Sequence, residues 1–293
     1  MLSILIPVYN RDVTLLVREL HRQALSQGIV FEIICVDDAS TLFREENIDL
    51  KTLAGVQWVN LKENVGRSII RNLLIEKASF EYLILLDCDM QICSDDFISN
   101  YLKNKHHKVI CGGHCYSKED HNGVNSLHYY NGVNREGFKE GDSNRTSCFM
   151  SGNFFIHKIL FEKVSFSDKL DGYGHEDTLF GIELMEAGVE VVNLYNPTIH
   201  RGVDRDEVYI KKTRAAIDNL FNSDREIERK LHQNIRLTKF ASEHRGLMYI
   251  CGCLYPFSGP ALEFAMKKFP SVCNLMDLYK LSYLGHLYIK RRR

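Results

Sequence analysis

Short apolar runs alternate with amphipathic stretches through the first half of the chain, the pattern of strands that cross over through helices into a largely parallel sheet. Residues 2–8 read as a buried strand. Residues 13–26 carry Leu15, Leu16, Leu20 and Leu25 at near-helical spacing, and Gly28 suits the stop. Further strands are predicted at 31–37, 56–61 and 82–86, with a helix at 67–79 between the last two. Ser94 stands before Asp95 and Asp96 as the cap and acidic first turn of another helix. From 116 to 147 the periodicity fades into polar, Gly- and Asn-rich sequence, long enough to predict a functional loop or lid. Order returns at 148–157, residues 178–187 read as a helix closed by Gly188, and 189–195 as a strand. From Glu207 onward, Tyr209, Ile210, Thr213, Ala216, Ile217 and Leu220 mark a helical tail that continues with interruptions to the end. Residues 247–265 are the most apolar late segment, but Pro256, Gly259 and Pro260 interrupt it. It therefore lacks the ~20 continuous apolar residues of a spanning helix.

Composition narrows the classes. The 293 residues are 45% hydrophobic and 26% charged, which supports a large core and excludes disorder. With 37 Lys and Arg against 38 Asp and Glu, the formal net charge is −1, so no global positive field awaits a polyanion and nucleic acid is not an expected partner. The apolar opening has no basic residue before it and is followed at once by Tyr9, Asn10, Arg11 and Asp12, unlike a signal peptide. A cytoplasmic chain with its nine cysteines reduced is expected. Cys111-Gly112-Gly113-His114-Cys115 would make half a zinc site, but no second Cys/His pair accompanies it, so buried small side chains around a turn are expected. Asn144-Arg145-Thr146 matches a glycosylation sequon, which has no meaning in an unexported chain. Tyr279, Tyr283 and Tyr288, followed by Lys290-Arg291-Arg292-Arg293, give the tail the chemistry for peripheral contact with an anionic membrane at its inner face. A helix packed on the core with a solvated basic end is the competing reading.

Asp87-Cys88-Asp89 closes the run at 82–86, so in extended backbone its two carboxylates project to one side. Ligands of α/β sheets collect at such strand ends. A carboxylate pair there can hold a hard divalent ion, which can in turn neutralise a diphosphate. Pro7-Val8-Tyr9-Asn10 ends the first strand, and Val36-Asp37-Asp38-Ala39-Ser40 ends the second. Asn64-Val65-Gly66-Arg67 leads into a helix containing Arg71 and Asn72. In that order they offer a ring for stacking, acids for a base or ribose, and guanidinium groups near a phosphate. No Gly-x-Gly-x-x-Gly follows the first strand, which disfavours a dinucleotide oxidoreductase.

This ordered set resembles the donor half of family 2 glycosyltransferases of the GT-A fold, over about residues 1–204. The resemblance implies an α/β fold with a Rossmann-like, mostly parallel central sheet flanked by helices. It implies a GT-A domain at 1–204, with a donor half at about 1–115 and an acceptor half at about 116–204, and a C-terminal helical extension at 205–293. It further implies a UDP-sugar donor held with Mn2+ or Mg2+. Pro7, Tyr9 and Asp38 would contact the nucleoside, Arg71 would lie near the diphosphate or sugar, Asp89 would bind metal, and Asp87 would touch ribose or metal-bound water. Asn10, Asn64, Gly66 and Cys88 complete the donor set.

Downstream, Gly172-Tyr173-Gly174-His175-Glu176-Asp177, with Ser151-Gly152-Asn153 before it, resembles the acceptor segment of chondroitin-polymerase-like and galactosyltransferase-like enzymes. Two glycines let the backbone bend close to a sugar, Tyr173 can stack on its apolar face, and Glu176 and Asp177 open the next helix. Gly152, Asn153, Tyr173, Gly174 and His175 are thereby expected at the acceptor. Inversion at an anomeric carbon needs a base opposite the leaving diphosphate, and Asp177 is the candidate, with Glu176 orienting acceptor hydroxyls. In related enzymes a histidine at the place of His200 joins the metal ligands, and imidazole suits manganese. Residues 164–169 depart from the Gly-Gly-Phe-Asp-like stretch the family often has there, which alters the acceptor wall. The implied function is an inverting, metal-dependent transfer of a hexose or N-acetylhexosamine from a UDP-sugar to a carbohydrate or lipid-linked glycan acceptor, in polysaccharide or glycolipid synthesis. A catalytically silent sugar-nucleotide-binding subunit and a sugar-phosphate nucleotidyltransferase are the alternatives; the latter gains nothing obvious from residues 172–177.

Overall fold

The computed structural model describes residues 1–139, 149–170, 172–221 and 224–292. The sequon at 144–146, the polar stretch from 140 to 147, Cys148 and Arg293 lie outside the described residues.

In chain order the elements are β1 (Leu2–Val8), α1 (Thr14–Ser26), β2 (Phe31–Asp37), α2 (Arg44–Ile48), β3 (Val56–Asn60), α3 (Arg67–Lys77), β4 (Tyr82–Leu86), β5 (Met90–Ile92), α4 (Phe97–Lys103), β6 (Val109–Cys111) and β7 (His114–Cys115). They continue with α5 (Ser126–Asn131), β8 (Asn153–His157), α6 (Glu176–Glu186), β9 (Val192–Asn193), β10 (Thr198–His200), α7 (Asp206–Asp218), α8 (Arg225–Asn234), α9 (Arg236–Glu243), α10 (Arg245–Lys268) and α11 (Cys273–Arg291). The chain divides into two compact units, one of residues 1–117, 137–168 and 180–202, the other of 118–136, 169–179 and 203–293.

The first unit is built on a seven-stranded sheet in the order β3-β2-β1-β4-β8-β6-β9, in which β8 runs antiparallel to both its neighbours and the other pairings are parallel. Its central strands are buried on both faces, which is why they read as continuous apolar runs. Alternation along β1 sends Leu2, Ile4 and Ile6 to one face, with Leu16 and Leu20 of α1 and Phe97 of α4. Leu5 joins the opposite face with Ile34, Ile70 and Leu74 of α3, and Phe154. A second, three-stranded sheet, β5-β10-β7, follows the carboxyl end of β4. The strand predicted at 189–195 is paired only at Val192–Asn193, because it lies at the sheet's edge.

In the second unit, Leu127, Ile210, Met266, Met276 and Tyr279 form the core. The predicted loop holds helix α5, because the Leu127 N–H donates to the Asp206 carboxylate at 2.8 Å and the Leu127 side chain is buried. Helix α10 runs unbroken through Pro256 and Pro260. Each interior proline costs about 3 kcal/mol, and packing of the inward stripe of Met248, Gly252, Gly259 and Met266 offsets it. Among the described residues no helix is long and apolar enough to cross a membrane.

Candidate functional site

Three strand ends of the first unit are tied together. Asn10 takes a left-handed φ of 50°, as asparagine can, and its side-chain oxygen accepts from the Thr41 N–H at 2.7 Å and the Leu42 N–H at 3.1 Å. The loop after β1 is thereby fastened to the turn after β2. Asp38, buried in that turn, accepts from the Val65 N–H at 2.7 Å and the Gly66 N–H at 3.2 Å, while the Asn64 amide donates to the Asp38 carbonyl at 3.2 Å. Asp38 thus shapes the loop that opens α3. Tyr9 is exposed beside half-buried Pro7, with its ring face available to a ligand.

After β4 the backbone turns rather than extends, so Asp87 and Asp89 meet different partners. The Asp87 carboxylate is held by buried Arg71 at 2.6 Å and by half-exposed Arg67 at 3.4 Å, a pair of guanidinium groups one helical turn apart on α3. Asp89 lies against His200, with Nε2 to Oδ2 at 3.3 Å. The small sheet makes that contact: β10 pairs antiparallel with β5, setting His200 opposite Met90, and the Arg201 N–H donates to the Asp89 carbonyl at 2.8 Å. Burial opposes ionisation of Asp89, but the His200 hydrogen bond and the charges of His200, Arg11 and Arg67 outweigh it and hold the carboxyl well below the usual carboxylate range. Burial, reinforced by the Asp89 charge, pushes the Cys88 thiol up to about 12, so it is inert.

Asp89 Oδ1 is buried and has no hydrogen-bond partner among the described residues. Such an orphan costs about 1–3 kcal/mol unless a cation or donor meets it. Gly202 leaves room for the carboxylate, since a Cβ there would lie 2.0 Å from Asp89 Oδ2. A cavity of about 600 Å³ opens against Cys88, Asp89, Arg11 and Arg201. Among the described residues no group of three His, Cys, Asp or Glu is arranged as a metal cage. A bound ion would therefore draw on the Asp89 and His200 pair, with Asp87 already engaged by arginines.

Of the acceptor residues, Gly152 and Asn153 belong to the first unit. The Gly152 carbonyl accepts from the Asp87 N–H at 3.0 Å. Asn153 is buried: its oxygen accepts from Tyr101 at 2.7 Å and its amide donates to the Gly113 and Asn196 carbonyls at 2.8 and 2.9 Å, which gives it a structural task. Tyr173, Gly174, His175, Glu176 and Asp177 belong to the second unit. Gly174 has φ 105°, and a Cβ there would lie 2.6 Å from that of Ala216, so the tight approach to α7 requires glycine. Asn219 clamps the same turn by donating to the Tyr173 and Gly174 carbonyls at 3.3 and 3.0 Å. Tyr173 is partly exposed with the Lys212 ammonium 4.9 Å over its ring. His175 is held at φ 71°, a strained value for a non-glycine. Burial, with the charge of Lys280, pushes its imidazole down to about 4 against the pull of Glu176. Glu176 is buried and Asp177 half-buried in the first turn of α6, where the helix dipole favours a carboxylate. Asp177 accepts from the Thr178 N–H at 2.7 Å.

Arg67 is among the guanidinium groups that the sequence offers to a phosphate, whereas Arg11, Arg201 and Gly202 carry no sequence signal beyond adjacency to motif residues: Arg11 follows Asn10, and Arg201 and Gly202 follow His200.

Residues 3–165, more than half of the chain, match Glycosyl transferase family 2, and the chain belongs to that family. It is a glycosyltransferase of the GT-A type. Comparison with curated protein sequences finds no match. Among solved structures, the chain is similar to residues 1–349 of S. aureus TarS, with 16% identity, a TM-score of 0.55, and coverage of 99% of this chain and 91% of that one. The same protein in complex with UDP-GlcNAc matches at 14% identity and TM-score 0.53, covering 99% of this chain and 92% of that one. The mannosyltransferase PcManGT from Pyrobaculum calidifontis, in complex with GDP-Man and Mn2+, matches at 16% identity and TM-score 0.56, covering 99% of this chain and 87% of that one. At these identities the likeness is one of fold.

Proposed function

We propose that the chain moves a sugar, a hexose or N-acetylhexosamine, from a UDP-sugar to a carbohydrate or lipid-linked glycan acceptor, with inversion and with Mn2+ or Mg2+. The observation that carries this reading is the half-buried Asp89 beside His200, with a buried carboxylate oxygen that has no hydrogen-bond partner among the described residues and the room that Gly202 leaves. Oxygen and imidazole nitrogen donors suit manganese, so the residues fit the ion. The nucleotide-sugar and Mn2+ complexes of the similar structures support the same donor chemistry. A divalent ion at Asp89 and His200 would offset the negative charge gathering on the departing diphosphate.

The chain's own groups do the rest. Tyr9 stacks on the uracil, and Pro7, Asn10 and the loop braced by Asp38 frame it. Asp87, steadied by Arg71 and Arg67, faces the ribose. Asp177 takes the proton of the acceptor hydroxyl as that oxygen bonds to the anomeric carbon and the bond from that carbon to the diphosphate breaks, while Glu176 orients the acceptor. Lipid-linked glycans as acceptors would bring the protein to an anionic membrane surface, and polysaccharide or glycolipid synthesis is the setting.

General-base assistance contributes about 10²- to 10⁴-fold. Asp177→Asn is expected to lower transfer of labelled sugar by that order. Wild-type turnover in the variant removes Asp177 from the base role.

A further inference from the structure

The charge of the chain is unevenly placed. Residues 225–293 hold thirteen Lys and Arg against five Asp and Glu, although the whole chain has a net charge of −1. On α10, in the same region, Ile250, Leu254, Phe257 and Phe264 recur at helical spacing and are 60%, 55%, 84% and 69% exposed. They lie on the face opposite the buried Met248, Gly252, Gly259 and Met266. The only acid between 245 and 268 is Glu263, which is tied to Arg214 and Tyr279. Near the start of the helix, a cavity of about 560 Å³ is lined by Lys239, Arg245 and Arg292 together with Tyr249 and Tyr288. Those three basic side chains are exposed, and none has an ion-pair partner among the described residues.

We propose that the exposed apolar stripe of α10 lies in the surface of an anionic bilayer, with the Lys239, Arg245 and Arg292 cavity receiving a phosphate-bearing lipid headgroup. Charge selects this occupant. An exposed apolar stripe and, at the start of the same helix, a cavity lined by unpaired basic groups supply contacts for both layers of a membrane surface. A second copy of the chain would instead bring two strongly basic regions together, which like charge opposes. A 24-residue helix is about 36 Å long, and laid flat it presents all four apolar side chains to the acyl boundary. Tyr279, which the sequence offered as a membrane contact, is wholly buried in the core of its own unit, so the surface is made by α10 rather than by that tyrosine.

The inference rests on the preceding reading only for its purpose, the meeting with a lipid-linked acceptor. The test therefore contains neither donor nor acceptor. The whole protein is sedimented with vesicles of phosphatidylglycerol mixed with phosphatidylcholine, and with vesicles of phosphatidylcholine alone. Binding is expected to the first and not the second. Leu254→Ser with Phe257→Ser, and separately Lys239→Glu with Arg245→Glu, should each weaken it at least about tenfold, with unchanged circular dichroism and a cooperative melt. The proposal is overturned by equal binding to both vesicle types, by wild-type binding in either folded double variant, or by no binding to the phosphatidylglycerol vesicles; in the last case a dimer in sedimentation velocity that Leu254→Ser with Phe257→Ser dissociates would give the stripe to a second copy. A loss of vesicle binding would leave sugar transfer in solution untouched, so the two readings fail separately.

Discussion

Gly202 and His175 show how single positions prepare the chain for chemistry. At Gly202 the backbone passes so close to Asp89 that any Cβ displaces the carboxylate. Gly202→Ala should leave the fold standing, because the position is at the end of a short strand, yet weaken Mn2+-dependent UDP binding at least about tenfold, roughly one hydrogen bond to a charged group. Calorimetry on the alanine variant reads this directly, and wild-type affinity would show that the close approach has no bearing on the donor. At His175 the sign of the pH effect follows from the direction of its shift. Burial lowers the folded imidazole to about 4 from 6.5, so between those values the unfolded chain binds a proton that the folded chain refuses. The His175 contribution is therefore fully present above pH 6.5 and is lost as the pH falls toward 4. His175→Asn, which tolerates the left-handed backbone, should flatten that part of the slope in urea midpoints measured across this range. An unchanged slope would place the effect elsewhere.

At the scale of elements, α3 and the end of β4 are joined by the Arg71 and Asp87 pair, with the guanidinium almost wholly buried. Removing one partner of a buried pair costs about 3–5 kcal/mol, and because Arg67 stays within reach of Asp87 the lower end is expected for Arg71→Leu. Chemical denaturation measures it, and a loss under about 1 kcal/mol would mean the pair is solvated in solution. The strands at β1, β2 and β4 are legible in the sequence because burial on both faces makes them nearly continuous apolar runs, whereas β3, with only Val56 buried, shows just a short β-branched and aromatic stretch. The small sheet was not, because β5, β7 and β10 span two or three residues each and are too short to show alternation. That sheet sets Asp89 beside His200, so the two were named from sequence while the device joining them was hidden. Helix α5 was hidden for another reason: its stability comes from Asp206, distant in sequence, rather than from its own six residues. The two carboxylates of Asp87-Cys88-Asp89 would share a side only in extended backbone, and the turn formed there sends one to arginines and the other to a histidine.

For the whole molecule, the residues proposed to handle the donor gather at strand ends of the first unit, while the proposed base belongs to the second. That division of labour separates binding from turnover, and titration of UDP into the protein with Mn2+ present tests it most directly. Wild type and Asp177→Asn should bind UDP alike, whereas Asp89→Asn, or chelation of the metal, should weaken binding by about a hundredfold, the effect of about 2.7 kcal/mol lost from a charged contact. Equal UDP affinity in wild type and Asp89→Asn, with and without Mn2+, would contradict the account.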